Sequence, residues 1–472
     1  MKEPTTSPRS MMLLAFAFFL ALASCTKEKA LLQPSHGSGS DTAKVTTPVT
    51  TTTGKEYVLT PDADGRLVLD NSKGTYKAGD ILSLKGKFTA VIISNLSGTA
   101  AKPITVRNAP GTATVIGDPS WNGGAWSTAF GFINCHYLKI GGAKSKSDLV
   151  INGSTQAGRQ AYFNLTLSSH TDNIEIAFLT IKNGGTGIWA KTDPVKNDQS
   201  TYYPNSTMEN LQIHDVEISG TNNEAMYIGH TALYWNLTAN VPYYGDPSGF
   251  TAGQTYVQPI KWHNVKIYNN TVLSGGADGI QTSAIDLLEV SGNTVTNWGG
   301  QHNPAHNGGI LIGGRTTNTN VHDNYVHDGW GELIQFYGSG ENGATHIIKN
   351  NLLANNQGDG VSMRGTDNAV VQILNNTIAN PGGVCLRING YQGMTKPQIV
   401  QANAFIQPKP INGTVSFNAY VYTENGGTYT EPAATASDAN TRIATLAAAG
   451  VNTSNYYQPA ANSALGTSGY RK

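Results

Sequence analysis

The pattern apolar-x-x-Asn-x-apolar returns six times between residues 267 and 405, and no other feature of the chain restricts its fold as much. It runs through Ile267 to Val272, Val290 to Val295, Val321 to Val326, Ile348 to Leu353, Ile373 to Ile378 and Val400 to Phe405. Its asparagines are Asn270, Asn293, Asn324, Asn351, Asn376 and Asn403, separated by 23, 31, 27, 25 and 27 residues. A second pattern, acid-small-apolar-x-apolar, follows in step. It reads Glu224-Ala225-Met226-Tyr227-Ile228, Asp278-Gly279-Ile280-Gln281-Thr282, Glu332-Leu333-Ile334-Gln335-Phe336 and Asp359-Gly360-Val361-Ser362-Met363. Gly308 to Ile312 and Gly382 to Leu386 are variants without the acid. Each repeat therefore holds at least two short period-two strands joined by Asn/Gly turns, which predicts stacked coils of a parallel β-helix. The 3.6-residue periodicity of helical solenoids is missing, and the tight hairpins of propeller blades are sparse. The fold class expected is all-β: a right-handed parallel β-helix with loop insertions and a short C-terminal helix or cap.

In such a stack the repeated asparagines form a column ~4.8 Å apart, close enough for one amide to hydrogen-bond the next. Each also caps backbone groups in a sharp turn. These residues are read as structural.

The repeat pattern resembles the pectate-lyase-like superfamily of right-handed β-helix proteins. Gly74 to Ile81 and Pro103-Ile104-Thr105-Val106-Arg107-Asn108-Ala109-Pro110-Gly111 resemble the first coils of its alginate-lyase and chondroitinase-B branch. The resemblance covers roughly residues 60 to 410. It implies the fold, whereas the superfamily hosts lyases, hydrolases, epimerases and adhesins.

The start of the chain sets an expected compartment. Lys2 and Arg9 precede an apolar run from Met11 to Ala23, short of the about 20 residues that span a bilayer. Leu22-Ala23-Ser24-Cys25 resembles the lipobox of bacterial lipoproteins, which implies lipidation at Cys25; an ordinary signal peptide cut elsewhere is the alternative. Residues 26–55 are Ser/Thr/Gly/Pro-rich and read as a flexible tether. Lys27-Glu28-Lys29 resembles the surface-export signals of Bacteroidetes lipoproteins. The expected divisions are 1–25 for signal and lipobox, 26–55 for tether, 56–410 for β-helix, and 411–472 for coil end and cap, with a short helix over 440–449. The location expected is the bacterial outer membrane, at the cell surface or on the periplasmic face.

Thirty-one basic and thirty-one acidic residues give a formal net charge of zero. That excludes a nucleic-acid partner and an electrostatic membrane binder, leaving the lipid anchor as the membrane contact. A monomer is expected. Cys135 and Cys385 fall in distant coils, too far apart for a disulfide, so two thiols are expected.

A site is expected on the outward face of the acid-containing strands. Alternation sends Tyr227, Gln281, Leu311, Gln335, Ser362 and Cys385 outward, then Gly229, Ser283, Gly313, Tyr337, Arg364 and Arg387. In that alignment Arg364 and Arg387 stack on successive coils, where an anion such as a sugar carboxylate would relieve their repulsion. Glu332 and Asp359 also fall on neighbouring coils, a pair that could share Ca²⁺. Three insertions, 191–208, 231–261 and 298–307, are expected to wall this face. The second carries Tyr234, Trp235, Tyr243, Tyr244, Phe250 and Tyr256, rings of the kind that stack on sugars or pack a loop onto its coil. His302 and His306 lie in a Pro-containing loop and are not read as a zinc pair. His322-Asp323 and His327-Asp328 belong to another side and are read as surface residues.

The partner expected is a polysaccharide. Three uses of the face stay open. A lyase would act by β-elimination on a uronic-acid glycan, with Arg364 and Arg387 as base and neutraliser and Tyr337 or His230 as proton donor. Tyr227, Gln281, Gln335, Trp235, Tyr243 and Tyr244 would then contact substrate. A glycosidase would use paired carboxylates among Glu332, Asp359 and Asp278. A glycan-binding or adhesive protein would need only the rings and the groove. The lysine expected beside Arg364 from the alginate-lyase pattern is missing, which leaves the base unassigned.

Overall fold

Strands of two to eight residues, each too short to bury an apolar face alone, stack here into a solenoid. The computed structural model describes residues 54–364, 368–390, 393–409 and 420–471; Cys25, the apolar leader and nearly all of the tether lie outside them. Each coil contributes one strand to each of three parallel sheets of thirteen, twelve and twelve strands. One coil runs Lys261–Tyr268 in the first sheet, Thr271–Val272 in the second and Ile280–Thr282 in the third; Ile285–Ser291 then opens the next. The architecture is a right-handed parallel β-helix.

Inward side chains line up coil upon coil. In the third sheet Met226, Ile280, Ile310, Ile334, Val361 and Leu386 are in register and all fully buried. Burying each such side chain is worth about 1.5–3 kcal/mol, and the column repeats at every level. In the acid-small pair the small residue is steric. A Cβ on Gly279 would lie 2.5 Å from the Gly309 carbonyl oxygen, and one on Gly360 would lie 2.3 Å from Ile378.

The asparagine column forms as expected. In Asn270, Asn293, Asn324, Asn351 and Asn376, both the backbone N–H and Nδ2 donate to Oδ1 of the next asparagine, at 2.9–3.1 Å. Nδ2 also donates to a backbone carbonyl, as Asn324 does to Val290 at 2.8 Å. The ladder runs on from Asn403 to Asn440. Asn440 therefore belongs to the stack and not to the expected helix, which spans only Leu446–Ala449 between a Thr445 cap and left-handed Gly450.

A second column, absent from the sequence reading, bends the first sheet. Asn173, Asn210 and Asn264 sit at φ of 54°, 55° and 59° and link amide to amide. Leu287 occupies the next place at φ 57°, 47% exposed, and Asn318 follows at φ 53°.

The three sheets continue past residue 410, adding Val421–Glu424, Tyr429–Thr430 and Thr441–Ile443. Beyond them the chain folds back over the outside of the second sheet, where Leu352, Ala354, Ala379, Ala404 and Ile406 leave an apolar strip that Ala449, Tyr457 and Leu465 cover. Tyr470 N–H donates to Thr377 Oγ1 and Arg471 N–H to Asn350 Oδ1. Cys135 and Cys385 are buried free thiols.

Asn324→Ala strips the partner from Asn293 N–H and Nδ2 and from the Val290 carbonyl. At about 1–3 kcal/mol per orphaned buried group, the denaturant midpoint is expected to fall by several kcal/mol equivalent. A near-neutral result contradicts the ladder as a stabilising element. Leu287→Asn places a residue tolerant of left-handed backbone between two amides, and is expected to raise stability by about 1 kcal/mol in the same assay. A third expectation concerns His346, buried inside the coil with Nε2 donating to the Ser339 carbonyl and Nδ1 facing Thr319 Oγ1. Burial lowers its pKa from 6.5 to about 4, so the unfolded chain binds the proton more readily. Its contribution is complete above pH 6.5 and is lost as pH falls toward 4. Thermal melts from pH 7 to 4 should show that loss, and His346→Asn should flatten it.

Candidate functional site

The outward face of the third sheet is flanked by all three long insertions. Two leave its end toward the first sheet, after Thr186–Ala190 and after Met226–Ile228; the third enters from the second sheet, between Thr294–Thr296 and Ile310–Ile312. The walls expected from the sequence are therefore in place. The second insertion forms a three-stranded antiparallel sheet of its own. Tyr203 from the first lies against Lys261 and Arg315, pinning that wall to the coils.

The aromatic residues divide. Tyr234, Tyr243, Phe250 and Tyr256 pack against one another, with Phe250 and Tyr256 stacked at 3.9 Å. Trp235 is fully buried. The insertion thus spends most of its rings on its own core, and Tyr244, 56% exposed, is the ring it presents outward. Tyr227 is half-buried, its hydroxyl 2.6 Å from Thr231 and its ring under the Lys191 ammonium.

Besides Trp235, two expected substrate contacts are covered. Gln281 and Gln335 are 2% and 4% exposed. Gln335 Nε2 donates to Asn307 Oδ1 at 2.5 Å and to Glu332 Oε2 at 2.7 Å, so the 298–307 wall closes over it. His230 is also enclosed. Ala232 N–H donates to its Nδ1, which leaves Nε2 as the donor to Asp193 Oδ1 at 2.8 Å. Burial and the nearby Lys191 charge lower its pKa to about 4. A neutral imidazole with both nitrogens engaged inside the protein is not placed to protonate a ligand.

The arginine pair is corrected by the register. Leu386, not Val384, lies opposite Val361, so Arg387 stacks on Ser362, and Asn389 stacks on Arg364. Cys385 turns into the core instead of outward. Arg387 Nε donates to Asp359 Oδ2 at 2.5 Å, and Nη1 lies 3.3 Å from Glu424 Oε1. Burial alone would lower its pKa, but these two carboxylates raise it. Arg364 is held more loosely: Nη2 is 3.8 Å from Glu332 Oε1, and the guanidinium lies 5.3 Å over the Tyr337 ring. Burial raises the Glu332 pKa, with the Asp359 charge adding to it against Gln335 and Arg364. Glu332 and Asp359, the expected Ca²⁺ pair, thus each face a guanidinium.

One group was not found from the sequence. The acid column reads Glu224, Asp278, Gly308, Glu332, Asp359, and the coil that lacks an acid is the one whose preceding loop delivers His306. Its Nδ1 lies 3.4 Å from Glu224 Oε1 and 3.4 Å from Asp278 Oδ2. Burial would lower the imidazole pKa, but Asp278 and Glu224 hold it up at about 9. Burial raises that of Glu224. The gap at Gly308, directly after the insertion, was the available signal. His322-Asp323 and His327-Asp328 pair locally away from this face.

The face therefore has a row of buried to half-buried carboxylates along one edge, a half-exposed arginine–tyrosine pair on the sheet, and one exposed ring on the opposite wall. Such a strip can hold an extended polar ligand along the solenoid axis.

Residues 308–405 match the family described as right handed beta helix region. No curated protein matches the chain. Among solved structures, a GH136 lacto-N-biosidase from Eubacterium ramulus shares 14% identity over 78% of this chain, at a TM-score of 0.41. The chain spans 62% of that protein's length. A PL6 family polysaccharide lyase from Pseudopedobacter saltans shares 14% over 77% of this chain and 92% of its own, at 0.37. Pectate lyase Pel9A shares 13% over 89% and 93%, at 0.38. At such identities and scores these likenesses carry no reading of chemistry. The sheet registers and the match over 308–405 make this chain a right-handed parallel β-helix protein.

Proposed function

We propose that this is a surface-anchored, carbohydrate-active protein that holds a uronate-containing polysaccharide along the third sheet and cleaves it by β-elimination. The observation that carries the reading is the Arg364–Tyr337 pair: a guanidinium in loose contact with its acid, half-exposed and laid against a tyrosine on the walled face. Arg364 binds and neutralises the sugar carboxylate, which acidifies the adjacent C5 proton. The Tyr337 hydroxyl serves proton transfer. The ionised Tyr337 oxygen takes the C5 proton, the C5–H electron pair forms the C4–C5 double bond as the C4–O bond breaks, and the same hydroxyl returns that proton to the departing oxygen. Tyr244 and Tyr227 lie along the same strip as platforms for neighbouring sugars. Arg387, tied to Asp359 and Glu424, holds the acid column instead of acting as the base. The lipid anchor at Cys25 and the outer-membrane location complete the proposal, the tether serving to stand the solenoid off the bilayer.

Hydrolysis is the second reading, favoured by Glu332. A buried carboxyl with a raised pKa, next to Asp359, has the character of a general acid beside a second carboxylate.

Incubation with a panel of uronate and neutral polysaccharides separates the readings. Elimination gives new reducing ends together with the ultraviolet absorbance of an unsaturated uronate. Arg364→Met should then lower kcat/KM by about 10²–10³, with the fold intact by circular dichroism. Reducing ends without that absorbance, lost in Glu332→Gln, assign hydrolysis and overturn elimination. Glycan binding without cleavage overturns both.

A further inference from the structure

Glu224, Asp278 and His306 come from three successive coils, and their ligand atoms lie within 4.8 Å of one another. They are the one such group of three among the described residues. Asp278 is fully buried; its Oδ1 accepts the Gly308 N–H at 2.6 Å, while Oδ2 makes no hydrogen bond. His306 Nδ1, which faces it, makes none either. Their 3.4 Å separation is long for a charge-assisted hydrogen bond, which runs about 2.7–2.9 Å. It matches two ligands of one metal: donors ~2.1 Å from a tetrahedral ion lie ~3.4 Å apart. His306 Nδ1 to Glu224 Oε1 is the same distance, 3.4 Å.

We propose that Glu224, Asp278 and His306 form a site for a divalent transition-metal cation, with its remaining coordination position open toward the groove. Two carboxylates and one neutral imidazole balance the charge of a dication, and so buried a pair of carboxylates carries a heavy desolvation cost unless a cation faces it. The imidazole ligand selects zinc-like ions over Ca²⁺, which takes six to eight oxygens. Gly308 N–H on Asp278 Oδ1 and Thr186 Oγ1, 3.5 Å from Glu224 Oε2, orient the carboxylates from behind. The His306 side chain is 38% exposed while its Nδ1 is buried, which places the cluster one side chain below the surface. Three protein ligands with a vacancy can hold a sugar hydroxyl or carboxylate oxygen in the groove.

The test needs no glycan, so its outcome is separate from that of the cleavage assays. Full-length protein is stripped with chelator and titrated with Zn²⁺ and with Co²⁺, reading heat, thermal midpoint and the visible Co²⁺ spectrum. One equivalent is expected to bind and to raise the midpoint. His306→Gln should bind at least about tenfold more weakly, with the fold intact by circular dichroism; Asp278→Asn should also weaken binding. Glu332→Gln should leave binding unchanged. No saturable binding, unchanged affinity in His306→Gln, or tighter binding of Ca²⁺ than of Zn²⁺ overturns the site.

Discussion

A buried amide is costly unless every donor and acceptor is met, and this protein meets that demand by repetition. Each ladder asparagine satisfies its own amide only because another asparagine stands one coil away at the same height. Any change in coil length has to be absorbed elsewhere in that coil. Intervals of 23 to 37 residues between asparagines therefore leave the column intact and appear as loops at other corners. The 298–307 insertion, in a 31-residue interval, is the case in point: Asn293 still bonds Asn324 at 2.9 Å across it. Functional variety can accumulate on the walls while the ladder holds the coils in register.

The same logic explains what was legible in the sequence. The fold, the asparagine column, the separation of the two cysteines and the face bearing the insertions follow from residues recurring at one height, and a repeat displays these directly. The register of the Arg387 coil does not follow. Period-two alternation is unchanged by a slip of two residues, so Val384 and Leu386 fitted the apolar position equally well. The structure decides for Leu386, since only that choice seats Cys385 in the core and brings Arg387 to Asp359. Likewise, alternation shows that Gln281 and Gln335 point outward but not that neighbours roof them. Nor does composition show that the rings of the second insertion would pack among themselves.

The site teaches a related lesson. Its cationic groups were expected to stand together and await an anion; instead Arg387 is absorbed into a carboxylate network, and Arg364 retains the looser contact. The His306 cluster arises where one coil lacks the acid its neighbours carry. A loop whose own sequence, with its proline and flanking glycines, is uninformative supplies the missing polar group. Interruptions of a repeat, more than the repeat itself, mark where this molecule departs from pure scaffolding.

A solenoid can fray from its end, one coil at a time, because each coil touches only its neighbours. The C-terminal segment changes that arithmetic. By lying across Leu352, Ala379 and Ala404, and bonding Asn350 and Thr377, it straps consecutive coils with a single strip of chain. The final coils cannot peel away individually without lifting the strap from all of them, so this end of the molecule opens as one block or not at all.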